Sequence, residues 1–276
     1  MAEQVVWASM RDVSEAADDD VKVADVTALF NTHVNDGRVI LIVEGPDDRE
    51  VYEKVTDSAA TCIYADCSCE KHFVILKALN GRYGKRLLAI KDADFDRLEG
   101  IRHSYSNLLL TDNHDMEGMI VGACLTNLQG EDAERCQSIS LDEIYSELED
   151  ISYLKWFSHW KHCGINFSDT ILDLDIEMYF NACVANTNND INVTLPDVYA
   201  FKAAYKDVEK KELCNGHDIL ERIYVRAKAA RVSNFAKKSF FRRLRGAYSK
   251  ELFVNTLLYK DIKEFESASG CTVLAD

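Results

Sequence analysis

Two apolar segments that each run into acidic residues place the strongest constraint on the fold of this chain. Residues 39–43 are all apolar and precede Glu44, and residues 87–90 are all apolar and precede the sequence Lys-Asp-Ala-Asp-Phe-Asp. Both segments have the length and composition of strands buried on both faces of a parallel sheet. Ligands of open parallel sheets bind beyond the carboxyl ends of the strands. The sequence therefore predicts an α/β fold with acidic residues at one edge of its sheet.

The spacing of these acidic residues suits a metal site. Asp48 follows Glu44 by one helical turn, and Asp92, Asp94 and Asp96 alternate, so that they share a face if the strand continues. Clustered carboxylates raise one another's pKa, and a bound cation relieves that repulsion. Mg2+ prefers oxygen ligands, and two such ions can activate water for phosphodiester hydrolysis. We therefore expect Mg2+, or Mn2+ in its place.

Two other interpretations of the alternating aspartates are weaker. A calcium-binding EF-hand loop that begins at Asp92 requires Gly at its sixth position and Glu at its twelfth. Those positions hold Arg97 and His103, which argues against an EF-hand. A lone Asp-x-Asp is commonly a solvated loop, but a second strand that ends at Glu44 favours a site.

The order of elements over residues 38–124 is predicted to be β-α-β-α-β-β-α, which corresponds to a small, mostly parallel sheet covered by helices. The strands are expected at 38–44, 61–65, 86–91 and 107–111, and the helices at 46–55, 70–79 and 115–123. Asn80-Gly81 is expected to end the second of these helices. Before the first strand, we expect a short helix at 26–30, with Asp18-Asp19-Asp20 as a cap or loop.

Helical periodicity dominates the second half of the chain. Ser140 and Glu143 have the spacing of a capping box, which predicts that a helix begins there. The predicted organisation is thus a catalytic domain with an N-terminal extension at 1–125 and a helical region at 126–276.

The paired pattern of Glu44-Gly45 and a later Asp-x-Asp-x-Asp resembles the metal site of the TOPRIM domain of topoisomerases, bacterial primases and OLD-family nucleases. The resemblance covers roughly residues 38–120. It implies that Glu44, Asp92 and Asp94 are catalytic and bind metal, with Glu44 as a ligand or an acid/base group. The further metal-site residues that it implies are Asp48, as the helix carboxylate of OLD-type sites, and Asp96, as the third Asp of the topoisomerase and primase pattern.

The segment at 110–117 resembles a narrower group, the stand-alone TOPRIM-like proteins encoded beside an ABC/AAA-type ATPase. This group includes the nuclease subunit AriB of the PARIS anti-phage system. The resemblance implies that Glu117 completes a second metal site. It also implies an RNase toxin that cuts tRNA and is held inactive by its ATPase partner. An OLD-like DNA endonuclease and a catalytically inactive regulatory or binding subunit stay open as alternatives.

Charge is distributed unevenly along the chain. The net charge is −15, yet residues 225–250 contain nine Lys or Arg and no Asp or Glu. Interleaved aromatics make this basic segment a candidate surface for single-stranded nucleic acid or tRNA loops. An amphipathic helix with buried aromatics and an acidic partner protein are the alternatives. The residues predicted to contact nucleic acid are Lys237, Lys238, Arg242, Arg243 and Arg245.

The expected compartment is the cytoplasm. Nine cysteines without a repeating spacing argue for a reducing environment, and no apolar run is long enough to span a membrane. The N-terminus lacks the features of a signal peptide, so none is expected. A homodimer is an additional expectation.

Several smaller clusters allow more than one role. Cys62, Cys67, Cys69 and His72 could bind zinc, although buried free cysteines are the favoured interpretation. The cluster of Trp156, His159, Trp160, His162 and Cys163 is expected to serve helix packing. A role at the edge of the site is expected for His114, and the candidates for the basic residue of OLD-type sites are Lys91 and His217.

Overall fold

The computed structural model describes residues 2–33, 37–167, 175–187, 193–230 and 236–275. The chain divides into two compact units. The first, here called the sheet unit, comprises Met1–Asp92, His103–Leu110 and Ser249–Asp276. The second, here called the helical unit, comprises Ala93–Arg102 and Thr111–Tyr248.

A four-stranded parallel sheet forms the centre of the sheet unit, which confirms the predicted fold class. The strands are β1 (Val39–Val43), β2 (Thr61–Ala65), β3 (Leu87–Lys91) and β4 (Leu108–Leu110), in the spatial order β2-β1-β3-β4. All three neighbouring pairs are parallel. Every residue of the two central strands is buried, whereas β2 and β4 at the edges are partly exposed. Burial on both faces explains why β1 and β3 are continuous apolar runs.

The helices account for most of the remaining described chain. Those of the sheet unit are α1 (Ala2–His33), α2 (Pro46–Tyr52), α3 (Cys69–Tyr83), α12 (Lys250–Phe253) and α13 (Leu257–Ser269). Those of the helical unit are α4 (Met116–Asn127), α5 (Gly130–Cys136), α6 (Leu141–Trp160), α7 (Ile176–Ala185), α8 (Leu195–Ala204), α9 (Lys210–Leu213), α10 (Gly216–Ala229) and α11 (Lys237–Gly246). Among the described residues, no helix is long and apolar enough to cross a membrane.

The first helix is much longer than the sequence predicted. A short helix was expected at 26–30, whereas α1 spans 32 residues and includes Asp18-Asp19-Asp20. These aspartates lie inside the helix and therefore neither cap it nor form a loop. Lys71 of α3 forms ion pairs with Asp18 and Asp19. Near the other end of α1, Val26 and Phe30 are fully buried in the core that covers the sheet. Tertiary contacts thus stabilise a polar helix that local sequence patterns do not reveal.

The end of α3 also differs from the prediction. Asn80-Gly81 does not stop the helix, which continues through Tyr83 and into a 3-10 turn at Gly84–Arg86. The Asn80 carbonyl accepts the Gly84 amide proton, so the usual helical hydrogen bonding persists past the glycine. Tyr83 stacks on Phe30, with the two ring centroids 4.0 Å apart, and this buried contact favours the additional turn over an earlier end.

The C-terminal residues belong to the sheet unit and not to the helical unit. Leu274 forms an isolated antiparallel bridge with Thr56, and the Val273 carbonyl accepts hydrogen bonds from the Asp57 amide and the Thr61 hydroxyl. The compact units therefore follow a different division from the predicted domains at 1–125 and 126–276. The difference arises because the last part of the chain returns to the sheet, a long-range pairing that periodicity cannot indicate.

One side chain secures this C-terminal segment. Glu266 of α13 accepts the amide protons of Val273 and Leu274 at 2.7 and 2.8 Å, and pairs with Lys263 at 2.7 Å. Partial burial of Glu266 acts to raise its pKa, but the Leu274 and Val273 amides and Lys263 outweigh burial and lower its pKa overall.

We predict that Glu266→Ala lowers the free energy of unfolding by about 2 kcal/mol, because hydrogen bonds to a charged acceptor are lost. Glu264→Ala, on the same helix and exposed, is the matched control and leaves stability nearly unchanged.

The lowered pKa of Glu266 makes its contribution to stability depend on pH. The contribution is fully present above pH 4.5, the ordinary pKa of a glutamate, and declines as the pH falls further. Chemical denaturation of Glu266→Gln and wild type should therefore show a gap that narrows below about pH 4.5.

Candidate functional site

The two acidic strand ends meet in the sheet unit. Ile42 of β1 pairs with Ala89 of β3, so the residues that follow the two strands leave the sheet side by side. The Asp92 backbone amide lies 3.4 Å from Glu44 Oε1, to which it donates a hydrogen bond. The chain runs from β1 to β2 on one side and later to β3 on the other, so this position is the point at which the strand order reverses. Ligands of open parallel sheets bind at such a point.

Asp48 has a structural function beside this pair. Its carboxylate Oδ2 accepts the Gly45 amide proton at 2.7 Å and thereby caps the start of α2. A negative charge in the first helical turn is also stabilised by the helix dipole. The four-residue spacing from Glu44 is therefore explained by helix capping, and metal binding by Asp48 stays a prediction.

The turn after Asp92 belongs to the helical unit and contains a strained residue. Asp94 has a φ of +46°, a conformation that costs a non-glycine residue about 1–3 kcal/mol. Its amide donates to the His114 carbonyl at 2.6 Å, and the neighbouring Ala93 amide donates to Thr111 Oγ1 at 3.0 Å. The hydrogen bonds that these two amides donate to Thr111 and His114 thus hold Asp94 in place. Strain of this kind is concentrated at functional sites.

Asp115 fixes the segment that holds Asp94. The carboxylate is buried and caps α4 by accepting the Gly118 amide proton at 2.7 Å. Its other oxygen accepts the Gly216 amide proton at the start of α10, also at 2.7 Å. Burial raises the pKa of Asp115 to about 7, whereas the two amides oppose that shift. The sequence suggested only a helix start here, and the link to α10 is a tertiary contact.

His114 contacts Asp94 through its backbone carbonyl, and its expected role at the edge of the site stays a prediction. Its side chain is buried, with Nδ1 3.2 Å from the Glu212 carbonyl oxygen. Burial lowers the pKa of His114 and outweighs the opposing charge of Asp94. The imidazole is therefore neutral at physiological pH.

A cavity of about 570 Å³ in the helical unit adjoins Asp94. Its lining includes basic or imidazole side chains that the sequence did not assign to a site: Lys155, His159 and His162. The prediction that the tryptophan–histidine cluster serves helix packing holds for Trp156, which is 2% exposed. His159 contacts the Phe95 ring, with the centroids 5.3 Å apart, and His159 and His162 also line the cavity, which periodicity does not reveal.

The two remaining carboxylates of the predicted metal set lie in the helical unit. Asp96 is buried in the turn, where its amide donates to the Ala93 carbonyl and its carbonyl accepts from the Ile101 amide. Glu117 is in the first turn of α4. A β-carbon added to Gly216 would lie 2.7 Å from the Glu117 β-carbon, so Glu117 starts beside the N-terminus of α10.

Within the described ranges, no group of three or more His, Cys, Asp or Glu side chains is arranged to hold a metal ion. The predicted set of six carboxylates therefore stays a prediction. The donor chemistry of Glu44 and Asp92 fits Mg2+, which commonly takes one or two protein carboxylates and completes its shell with water or substrate phosphate.

The cysteine cluster contains no zinc site among the residues that the structure describes. Cys67 is buried, and burial together with the Glu44 carboxylate raises the pKa of its thiol to about 12. A thiol is a metal ligand only as the thiolate. Within the described part of the chain, Cys62 and Cys67 form no disulfide bond, and the buried state of Cys67 agrees with the favoured interpretation.

The candidates for an additional basic residue occupy different environments. Lys91 is buried, and its ammonium donates to the Asp92 carbonyl at 2.7 Å in the sheet unit. His217 is exposed in the helical unit, with Nε2 3.7 Å from Glu221 Oε1. Of the two, Lys91 is the residue that contacts an acidic strand end.

In its described part, the basic segment is mostly helical, and α11 is amphipathic. The aromatics Phe240, Phe241 and Tyr248 are buried, so they pack in the interior and provide no stacking platform. Residues 231–235, including Phe235 and Arg231, lie outside the described residues.

The five basic residues predicted to bind nucleic acid differ in their availability. Lys237 pairs with Glu221, Arg243 forms a two-point contact with Asp132, and Arg245 is 8% exposed. Lys238 and Arg242 are exposed. Since they are four residues apart on α11, they lie on the same face of the helix.

Comparisons with known proteins identify no relative of this chain. No family model matches it, and neither the curated proteins nor the solved structures contain a match.

We predict that Gly216→Ala destabilises the protein by about 1–3 kcal/mol, as expected for overpacking. The added β-carbon would lie 2.1 Å from Asp115 Oδ1 and 2.2 Å from the Gly118 amide nitrogen, so the link between α4 and α10 must shift. Gly246→Ala is the matched control, because an added β-carbon there has no atom within 4 Å. Equal unfolding free energies for the two variants in chemical denaturation would contradict the tight approach at Gly216.

Proposed function

We propose that this protein is a Mg2+-dependent endonuclease of the TOPRIM type. The proposed substrate is RNA, specifically tRNA, and the proposed biological setting is anti-phage defence with an ABC/AAA-type ATPase as the controlling partner. The observation that carries the proposal is the contact of Glu44 with the Asp92 backbone where the strand order of the parallel sheet reverses.

The position of this pair supports a site more than a structural role. Many residue types are tolerated after a buried strand at the edge of a sheet. Here a carboxylate follows both β1 and β3, at the position where ligands of parallel sheets bind. If the two carboxylates converge as their backbones do, a bound cation would relieve the repulsion between them. Glu44 and Asp92 are both only partly buried, so a hydrated ion can reach them from solvent.

The residues divide the proposed work as follows. Glu44 and Asp92 would hold the cation, which supplies a more acidic bound water and neutralises phosphate charge. Asp94, two residues farther along the chain, is kept in its strained conformation by the His114 carbonyl. Within the helical unit, the imidazoles of His159 and His162 line a cavity and would donate hydrogen bonds to a phosphodiester backbone, whereas the Lys155 ammonium in the same lining pairs with Asp218.

The exposed face of α11 supports a nucleic-acid substrate. Lys238 and Arg242 belong to the segment that has no acidic residue, in a chain whose net charge is −15. Their contribution would be electrostatic and independent of base sequence. The assignment of RNA over DNA and of the ATPase partner rests on the resemblance of the acidic pattern and of residues 110–117 to the TOPRIM-like toxins. The cytoplasmic assignment rests on the nine cysteines without a repeating spacing.

We predict that Glu44→Gln and Asp92→Asn each reduce Mg2+-dependent cleavage of tRNA by about a hundredfold or more, since weaker second-shell changes already cost 10–100-fold. Both variants should keep their folded stability, because each substitution is isosteric and an amide oxygen at position 44 still accepts the Asp92 amide proton. Glu53→Gln, an exposed carboxylate at the far end of α2, is the matched control and should retain activity. The measurement is the initial cleavage rate with Mg2+ and with EDTA.

The substrate tests separate the three candidate functions. Cleavage of tRNA but not of plasmid DNA supports the RNase, and the reverse result supports an OLD-like DNA endonuclease. If neither is cut, and if toxicity in cells survives Glu44→Gln, the chain is a regulatory or binding subunit.

We predict that Arg242→Glu and Lys238→Glu each weaken tRNA binding and leave stability unchanged. Loss of one phosphate contact should make the slope of log affinity against log salt shallower by about 0.7, the value for a single strand. Lys206→Glu is the control, because it makes the same charge change at an exposed position outside the basic segment. Fluorescence anisotropy over a salt series gives both quantities. Unchanged tRNA binding combined with lost association with the ATPase would make this face a protein-docking surface.

A further inference from the structure

A second cavity, here called the basic cavity, lies in the sheet unit and has a volume of about 640 Å³. It is formed by the end of α3, the 3-10 turn at Gly84–Arg86, the residues before β4 and the end of α13. The turn leads into the first residue of β3, and Asn107 directly precedes β4. The basic cavity is therefore at the amino ends of the strands, opposite the edge that carries Glu44 and Asp92.

The lining of the basic cavity is positively charged. Arg82, Lys85 and Arg86 line it, and no Asp or Glu does. Among the described residues, none of these three cations forms an ion pair. This is unusual in a chain with a net charge of −15, in which acidic partners are abundant. The charge favours an anionic ligand.

Aromatic stacking holds two of these cations. Tyr83 and Phe30 stack face to face, with the Arg82 guanidinium 4.9 Å from the Tyr83 ring centroid and that of Arg86 5.6 Å from the Phe30 centroid. A guanidinium stacked on a ring keeps the N–H groups at its edge available for hydrogen bonds. The aromatic pair therefore preorganises two donors without consuming them.

Three residues that line the basic cavity each have a buried polar atom without a hydrogen-bond partner within the described part of the chain: Tyr83 Oη, Arg86 Nη1 and Asn107 Oδ1. Tyr83 is 7% exposed and Asn107 is 4% exposed. The orientation of the Asn107 amide is set by its Nδ2, which donates to the Leu87 carbonyl at 2.6 Å. Its oxygen consequently requires a donor, whereas Arg86 requires an acceptor. Buried polar groups without partners are costly, and three of them around one cavity indicate a missing ligand.

We propose that the basic cavity binds a nucleoside phosphate. Phosphate oxygens would accept from Arg82, Lys85 and Arg86, and an N–H or O–H of the nucleoside would donate to Asn107 Oδ1. The volume is in the range of about 300–1,000 Å³ that small-molecule ligands occupy, which favours a nucleoside phosphate over inorganic phosphate alone. The ligand is a free nucleotide or the phosphorylated end of an RNA. The proposal is independent of cleavage at the opposite edge of the sheet.

Calorimetric titration of the full-length protein tests the proposal. The probes are the four 5′-ribonucleoside monophosphates, inorganic phosphate, adenosine and a short RNA with or without a 5′-phosphate. We expect saturable binding of at least one monophosphate or of the 5′-phosphorylated RNA, with phosphate and adenosine binding more weakly. Preference for the monophosphate identifies a free nucleotide as the ligand, and preference for the phosphorylated RNA identifies an RNA end. The proposal is overturned if neither a monophosphate nor the 5′-phosphorylated RNA binds saturably. It is also overturned if inorganic phosphate binds with the same affinity as they do.

Matched variants locate the binding. Arg82→Gln combined with Lys85→Gln should weaken affinity about tenfold or more, because charge-assisted hydrogen bonds are lost at two exposed positions. Lys77→Gln, an exposed position on the same helix outside the cavity, should leave affinity unchanged. If Lys77→Gln weakens binding equally, the effect is general electrostatics and the proposal fails. If the double variant leaves affinity unchanged, the basic residues serve only to complement the carboxyl end of α3, and the proposal also fails.

Tyr83→Phe provides a second test that distinguishes ligand binding from structure. It removes only the hydroxyl and keeps the ring that stacks on Phe30. The free protein should be as stable as wild type or more stable, because an unpartnered buried hydroxyl is removed, while affinity for the nucleotide should fall. A less stable free protein with unchanged affinity would show that the hydroxyl has a partner within the protein, and would overturn its assignment to the ligand.

Discussion

Parallel pairing of β1 with β3 is the interaction on which the sheet unit depends. Both strands are buried along their whole length, so their apolar side chains supply the centre of the core. The same pairing sends Glu44 and the Asp92 backbone to one edge, where they are within hydrogen-bonding distance. One strand register therefore places both the buried apolar side chains of β1 and β3 and the acidic residues that follow these strands. A slip of that register would displace the core and the candidate site together.

A buried carboxylate has the corresponding role in the helical unit. Asp115 accepts amide protons from the N-terminal turns of α4 and α10, so a single side chain satisfies donors at two helix ends. The backbone carbonyl of His114, the residue before Asp115, accepts a hydrogen bond from the Asp94 amide. A link made for helix capping thus also maintains the strained turn after Asp92. Gly216 is required in this arrangement because Asp115 lies where a side chain would begin.

Residues of similar charge acquire different roles through their surroundings. On α11, Arg243 contacts Asp132 and Arg245 is largely buried, whereas Lys238 and Arg242 face solvent. Around the basic cavity, stacking on aromatic rings orients arginines that form no ion pair among the described residues. Sequence composition identifies a basic segment, but only packing determines which cations can meet an anionic ligand.

The sequence by itself determined the parallel α/β fold, the strands and the acidic strand ends, because strand burial and strand length are encoded in short apolar runs. It also identified the helix start at Ser140, since capping is a local interaction. Tertiary structure decided the length of α1, the continuation of α3 past Gly81, the return of the C-terminus to the sheet and the cavity that contains His159. Each of these depends on contacts between residues far apart in the chain, and no local periodicity records such contacts.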